Sequence, residues 1–89
     1  MPQLESILER TDAPTDGERV SLDVRELGPP EPLTKTLETL SDLPADAVVI
    51  QENDRVPQFL YPKLEDRGYR YETEELTDRV VTVIWTENR

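Results

Sequence analysis

The chain has 89 residues, 20 of them acidic and 10 basic, for a net charge of −10, and it contains neither cysteine nor histidine. That length holds one small hydrophobic core, and the missing residue types exclude disulfides, thiol chemistry and the usual serine triad and provide poorly for soft-metal or haem ligation. The acidic balance argues against nucleic acid as a partner, because phosphate recognition needs a basic face.

Residues 1–18 read as a tail or short helix preceding the domain of residues 19–89. Leu4, Ile7 and Leu8 fall at helical spacing, so residues 3–10 form at most a short amphipathic helix. Eight residues are marginal alone in water, and the segment is expected to be a frayed tail, to pack on its own domain or to dock a partner. Residues 11–17 (TDAPTDG) are turn or linker in composition.

A first strand is predicted over 19–24, with Val20, Leu22 and Val24 on one side. A helix is predicted from Pro30 to Leu43, with Leu33, Leu37 and Leu40 as its apolar stripe and Pro44 as its stop. Residues 47–51 (AVVIQ) form a short apolar run typical of a strand inside a sheet. Asn53 and Asp54 then offer a turn or a helix cap. A second helix is predicted over 57–67, with Leu60 and Leu64 inward, Arg67 in its last turn and Gly68 as a left-handed C-cap. Pro62 should either kink that helix or force its regular part to start late. Tyr69, Tyr71 and Thr73 alternate on one side of a third strand, and Arg79 to Thr86 (RVVTVIWT) is apolar on both sides of a fourth. The order β-α-β-α-β-β predicts an α+β two-layer sandwich, a four-stranded mixed sheet with both helices on one face.

The apolar residues are 35% of the chain and the charged ones 34%, yet Leu, Ile, Val and Phe number 23 of 89, enough for a folded core. Only Lys35 and Lys63 are lysines. So acidic and lysine-poor a coat points to a cytosol of very high salt, where a Debye length of about 3 Å near 1 M relieves self-repulsion, the alternative being an acidic protein of an ordinary cytosol. No run approaches the ~20 apolar residues of a membrane span, and MPQLESILER has acids where a signal peptide carries bases. A cytoplasmic protein without cofactors is expected.

The first strand-to-helix junction, residues 22–32, reads LDVRELGPPEP. With the element order, it resembles the TusA-like (SirA-like) sulfur-carrier superfamily over roughly residues 19–87. Members of that superfamily carry Leu-Asp-x-Arg-x-Leu-x-Cys-Pro-x-Pro. Leu22, Asp23, Arg25, Leu27, Pro30 and Pro32 match, and Pro29 stands where the cysteine belongs. The chain is more similar still to the uncharacterised, cysteine-free branch of that superfamily, which shares the PPEP start. That branch also carries a segment like His-Asp-Pro-x-Pro-Leu-Tyr, ending in Leu-Glu-x-Arg-Gly. Here the segment is RVPQFLY over 55–61 and LEDRG over 64–68, with Arg55-Val56 for the His-Asp pair and Phe59 for the second proline. The resemblance implies the fold above and a partner-docking surface at the two strand-to-helix junctions. It also implies, as the alternative, an accessory to redox or nitrogen-oxide metabolism that binds a small molecule or metal.

Chemistry at the first junction reads as lost. Proline can neither attack nor carry sulfur, Pro30 and Pro32 lack N–H donors, and Glu31 adds a negative charge, so an anion is poorly served there. The three glycines are isolated and form no phosphate loop. Glu72, Glu74, Glu75 and Asp78 match no calcium-loop spacing and read as solvated charge. Glu52 and Asp54 are a carboxylate pair only in the loosest sense. Arg25 is expected to pair with Asp23, Glu31 or Asp54. Trp85 is expected in the core, and Tyr69 and Tyr71 are candidates for an open sheet face through which two copies could meet. The expected function is a non-catalytic protein-interaction or regulatory module, with Arg25, Glu31, Asn53, Asp54, Arg55 and Tyr61 contacting a protein partner.

Overall fold

The computed structural model describes residues 18–28, 31–44 and 47–86. The expectations placed on residues 1–17 and on Pro29 and Pro30 lie outside them. The elements are β1 (Arg19–Asp23), α1 (Glu31–Asp42), β2 (Val48–Asn53), α2 (Leu60–Asp66), β3 (Tyr69–Glu75) and β4 (Val80–Thr86). The strands form one sheet in the order β1-β2-β4-β3. β1 and β2 are parallel, while β4 is antiparallel to both β2 and β3. This is the predicted α+β architecture.

Position in the sheet explains the sequence pattern. β2 and β4 are the central strands, and Val48, Val49, Val81, Val83 and Ile84 all have no exposed surface. β1 and β3 are edges and keep alternation, with Arg19, Ser21, Arg70 and Glu72 exposed. Charged side chains along an edge strand discourage pairing with another chain.

The two faces differ. Leu40 of α1 and Leu60 and Leu64 of α2 pack with Val49 and Ile84, supported by the half-buried Leu22, Leu33 and Leu37. Val48, Ile50, Val81, Val83 and Trp85 make a separate apolar cluster on the opposite face. Both helices therefore cover one face, and Trp85 is buried as expected, at 2% exposure.

The leucine stripe of α1 contains one residue that is not leucine. Thr36 lies at the same helical phase as Leu33, Leu37 and Leu40 and is fully buried. Its hydroxyl donates to the Pro32 carbonyl at 2.7 Å and accepts from Nε2 of the equally buried Gln51 at 2.8 Å. Asn53 continues the chain through Nδ2 to Gln51 Oε1 at 3.4 Å. A polar thread thus runs from α1 into the end of β2, each buried group meeting a partner.

α2 is shorter than the predicted 57–67. The backbone over 56–60 turns tightly, with Gln58 N–H on the Val56 carbonyl and Leu60 N–H on the Pro57 carbonyl. The regular helix begins only at Leu60, so Pro62 is its third residue. The first four N–H groups of a helix have no helical acceptor, so the missing donor of Pro62 costs no helical bond. Asn53 and Asp54 do not cap α2. Instead Asn53 Oδ1 accepts from the Asp54 N–H at 2.7 Å as the strand ends. Gly68 has φ 79°, the left-handed conformation expected of it, and its N–H closes on the Glu65 carbonyl at 3.1 Å.

The expected orientation of Tyr69 and Tyr71 is corrected. Their partners across the hairpin are Thr86 and Ile84, and Ile84 faces the helices. The two tyrosines therefore lie beneath the helical layer. Tyr69 reaches the Leu40 carbonyl at 3.4 Å. Tyr71 stacks on Tyr61 of α2 with ring centroids 4.4 Å apart and donates to Glu65 Oε2 at 2.6 Å. The Tyr61 hydroxyl meets the hydroxyl of Thr73. The hydrogen bond to Glu65, with burial and the glutamate's charge behind it, pushes the Tyr71 phenol up from 10.0 to about 12.

A phenol whose folded pKa is raised stabilises the fold fully below its unfolded value, and that contribution is lost as pH rises through the folded one. The Tyr71–Glu65 contact is thus expected to hold to about pH 10 and to weaken from there to about pH 12. Phenolate absorbance should show one tyrosine ionising near pH 12, and Tyr71→Phe should delete that step. A Tyr71→Phe titration identical to wild type would refute the assignment.

Candidate functional site

The two parallel strands end side by side, and each hands over to a helix on the same face. The β1 junction is held by its own residues. Asp23 accepts from the Arg25 N–H at 3.1 Å and pairs with the guanidinium through Nε at 3.0 Å and Nη2 at 2.9 Å. Turn bonds from Leu27 N–H to the Val24 carbonyl and from Glu31 N–H to the Gly28 carbonyl lead into α1. The arginine's hydrogen bonds hold the Asp23 carboxyl below the usual range, and Asp23 in turn raises Arg25. Of its three candidate partners, Arg25 takes Asp23.

The β2 junction repeats the device. Arg55 binds Asp54 with Nε to Oδ1 at 3.0 Å and Nη2 to Oδ2 at 3.3 Å, and this bond keeps the Asp54 carboxyl low. Both groups are exposed, so the pair shapes the loop and adds little stability.

Between the junctions lies a groove of about 850 Å³. Leu27, Pro32 and Leu33 line it from the first junction and α1. Val56, Pro57, Phe59, Leu60 and Lys63 line it from the second junction and α2, and Glu75 and Val80 from the β3–β4 hairpin. Gln51 and Asn53, the inner part of the polar thread, supply buried amides. Its volume is within the range of sites that hold small molecules. Phe59 is 84% exposed, the one large hydrophobic side chain so displayed among the described residues.

The six predicted contact residues separate here. Asn53, Asp54 and Arg55 line the groove. Arg25 and Glu31 are exposed at the first junction but are not among its lining residues. Tyr61, expected beside the junctions, instead faces Tyr71 and Thr73 on the β3 side of α2. One helical step separates Leu60, which reaches the groove, from Tyr61, and 100° of rotation sends the two side chains to different neighbours. Sequence reasoning missed Val56, Pro57 and Phe59. The available signal was Pro62, whose late-start reading leaves 56–59 as a loop able to display Phe59.

The acidic residues do not gather. Glu72 and Glu74 alternate to one face of β3 while Glu75 points to the other. Among the described residues no group of three or more carboxylates is placed to hold a metal ion, and no helix is long and apolar enough to cross a membrane.

Compared with known proteins, residues 21–87 match one family model, described as an uncharacterized conserved protein (DUF2249). No curated protein and no solved structure matches the chain.

Proposed function

The chain belongs to the DUF2249 family of uncharacterised conserved proteins, and on that footing we propose that it is a non-enzymatic protein-interaction module. Its partner inserts an apolar side chain into the groove between the two helix starts. The observation that carries this reading is Phe59, 84% exposed on an apolar groove in a domain that otherwise buries its large hydrophobic side chains. Exposed aromatics beside a pocket are typical anchors of protein interfaces.

The polar groups of the groove support a role in binding over catalysis. Asp54 is engaged by Arg55 and kept low, so it is poorly suited to give up a proton near neutral pH. Gln51 and Asn53 are amides, which position a ligand but do not titrate. Derivation from a sulfur-carrier scaffold is supported by Leu22, Asp23, Arg25, Leu27 and Pro32 at the spacing of that motif. The Asp23–Arg25 pair explains why such a motif would outlast its chemistry, since it holds the junction's shape.

The test is affinity capture from a lysate kept in molar KCl, comparing the wild type with Phe59→Asp and with Arg25→Ala plus Arg55→Ala. Loss of a hot-spot anchor costs at least ~2 kcal/mol, about 30-fold in affinity. A partner retained by the wild type and by Thr34→Ala on the far side of α1, but lost with Phe59→Asp, is the expected result. Equal capture by Phe59→Asp would sink the proposal. The acidic surface supports a salt-rich cytosol as the setting, so the complex should weaken when the same capture is run at low salt. Indifference to salt would remove that part.

The buried amides of Gln51 and Asn53 favour a second reading, in which the groove holds a small organic molecule. Anilinonaphthalene sulfonate is a suitable probe. Bright fluorescence with the folded wild type, lost in Phe59→Asp, would support a ligand pocket, and no enhancement would weigh against it.

A further inference from the structure

The floor of the groove has more hydrogen-bonding capacity than the fold uses. Gln51 is fully buried and Asn53 is 4% exposed, and both line the groove. Among the described residues each of these side-chain amides donates once and accepts once. Gln51 Nε2 donates to Thr36 Oγ1 at 2.8 Å, and Gln51 Oε1 accepts from Asn53 Nδ2 at 3.4 Å. Asn53 Oδ1 accepts from the Asp54 N–H at 2.7 Å. A side-chain amide carries two N–H donors and two acceptor lone pairs. Gln51 and Asn53 therefore each keep one donor and one lone pair, on adjoining groups beside an apolar cavity. The inner amide is also held in place, because the Thr36 hydroxyl spends its own proton on the Pro32 carbonyl and so can only accept from Gln51.

The walls narrow what can meet these groups. Leu27, Leu33, Val56 and Val80 are apolar, and Pro32 and Pro57 have no main-chain N–H to give. Charge on the lining cancels, since Asp54 is bound by Arg55 and Lys63 and Glu75 supply one of each sign. A carboxylate only accepts, so it would leave the lone pairs of both amides unmet, and it would enter a chain of net charge −10. An ammonium or guanidinium only donates and would leave two buried N–H groups unmet, which is costly. A neutral amide both donates and accepts. Main-chain amides inside helices and sheets are already paired, so one with both groups available belongs to an extended stretch.

We propose that the groove reads an uncharged, extended stretch of the partner, with Gln51 and Asn53 binding the main-chain amide next to the apolar side chain that fills the cavity. This rests on the groove being the docking site and adds what is docked there. The apolar walls select the side chain, and the amide pair selects a peptide group over an anion or a cation.

Three probes that share one apolar chain and differ at a single group test the assignment. N-methyl isocaproamide is a leucine side chain with the peptide group that follows it, methyl isocaproate is the ester that lacks the N–H, and isocaproate is the carboxylate. Each is titrated into the full, isotope-enriched chain in molar KCl. The readouts are the side-chain NH2 signals of Gln51 and Asn53 and the main-chain amide signals of Leu27 and Phe59. The amide probe should shift all of them and bind about 2- to 10-fold more tightly than the ester, the worth of one hydrogen bond. It should also bind more tightly than the carboxylate. Gln51→Leu with Asn53→Leu should erase the preference for amide over ester while the probes still shift Phe59. If that variant does not fold, the wild-type series alone decides. Equal or tighter binding of the ester or the carboxylate would overturn the inference and leave the groove as a docking site. So would shifts at Leu27 and Phe59 without shifts of the two NH2 groups. No shift at Leu27 or Phe59 with any probe would remove the docking site itself, and the inference with it.

Discussion

Leu64→Ala is expected to lower the unfolding free energy by about 2–5 kcal/mol. Leu64 has no exposed surface and sits where α2 meets Val49 and Ile84, the centre of the helix-covered core. α2 spans only Leu60–Asp66, with no side-chain cap at its start. A helix of that length has almost no stability of its own and is held by Leu60 and Leu64. Truncating one of them removes apolar burial and leaves a cavity that seven residues of helix cannot collapse to fill. Small domains hold roughly 5–15 kcal/mol in total, so the loss is a large part of the whole. Urea denaturation reads it as a lower midpoint at an unchanged slope. A change under about 1 kcal/mol would mean that α2 contributes little to the core. Since α2 and its preceding loop form one wall of the groove, weakened probe binding should accompany the loss.

Thr36→Val carries the second largest effect. The change preserves shape and deletes one hydroxyl, which accepts from Gln51 and donates to Pro32. Gln51 then keeps a buried amide with no acceptor in α1, at a cost of about 1–3 kcal/mol. Gln51→Leu in the same chain removes the orphaned group, so the double variant should be more stable than the sum of the two single changes predicts. A double-mutant cycle in urea measures the coupling directly. A neutral Thr36→Val would show that the thread is not needed to hold β2 against α1. Because Gln51 and Asn53 also line the groove, the same cycle repeated with a bound probe separates scaffold from recognition.

Much of the fold was legible because its signals are local. Pro44 ends α1, Gly68 takes the φ of 79° that a C-cap favours, and the unbroken apolar run of β4 marks a central strand. That Arg25 pairs with a nearby carboxylate was readable too, while the structure chose Asp23 over Glu31 and Asp54. Thr36 was not legible as buried, because a threonine on a leucine stripe shows its role only when the partner, Gln51, is placed fifteen residues away in sequence. The stacking of Tyr71 on Tyr61 was not legible for a related reason. Alternation shows that Tyr69 and Tyr71 share a face, and only pairing with Thr86 and Ile84 shows which face it is.

The amino-acid sequence by itself determined the element order, the mixed sheet, the two junctions and the absence of any thiol. These follow from period, punctuation and residue type, which act over a few positions. Tertiary structure alone decided that Phe59 is displayed, that Tyr61 turns away, and that both faces of the sheet are buried. Exposure and facing depend on which distant segments pack against a residue, and no local pattern carries that information.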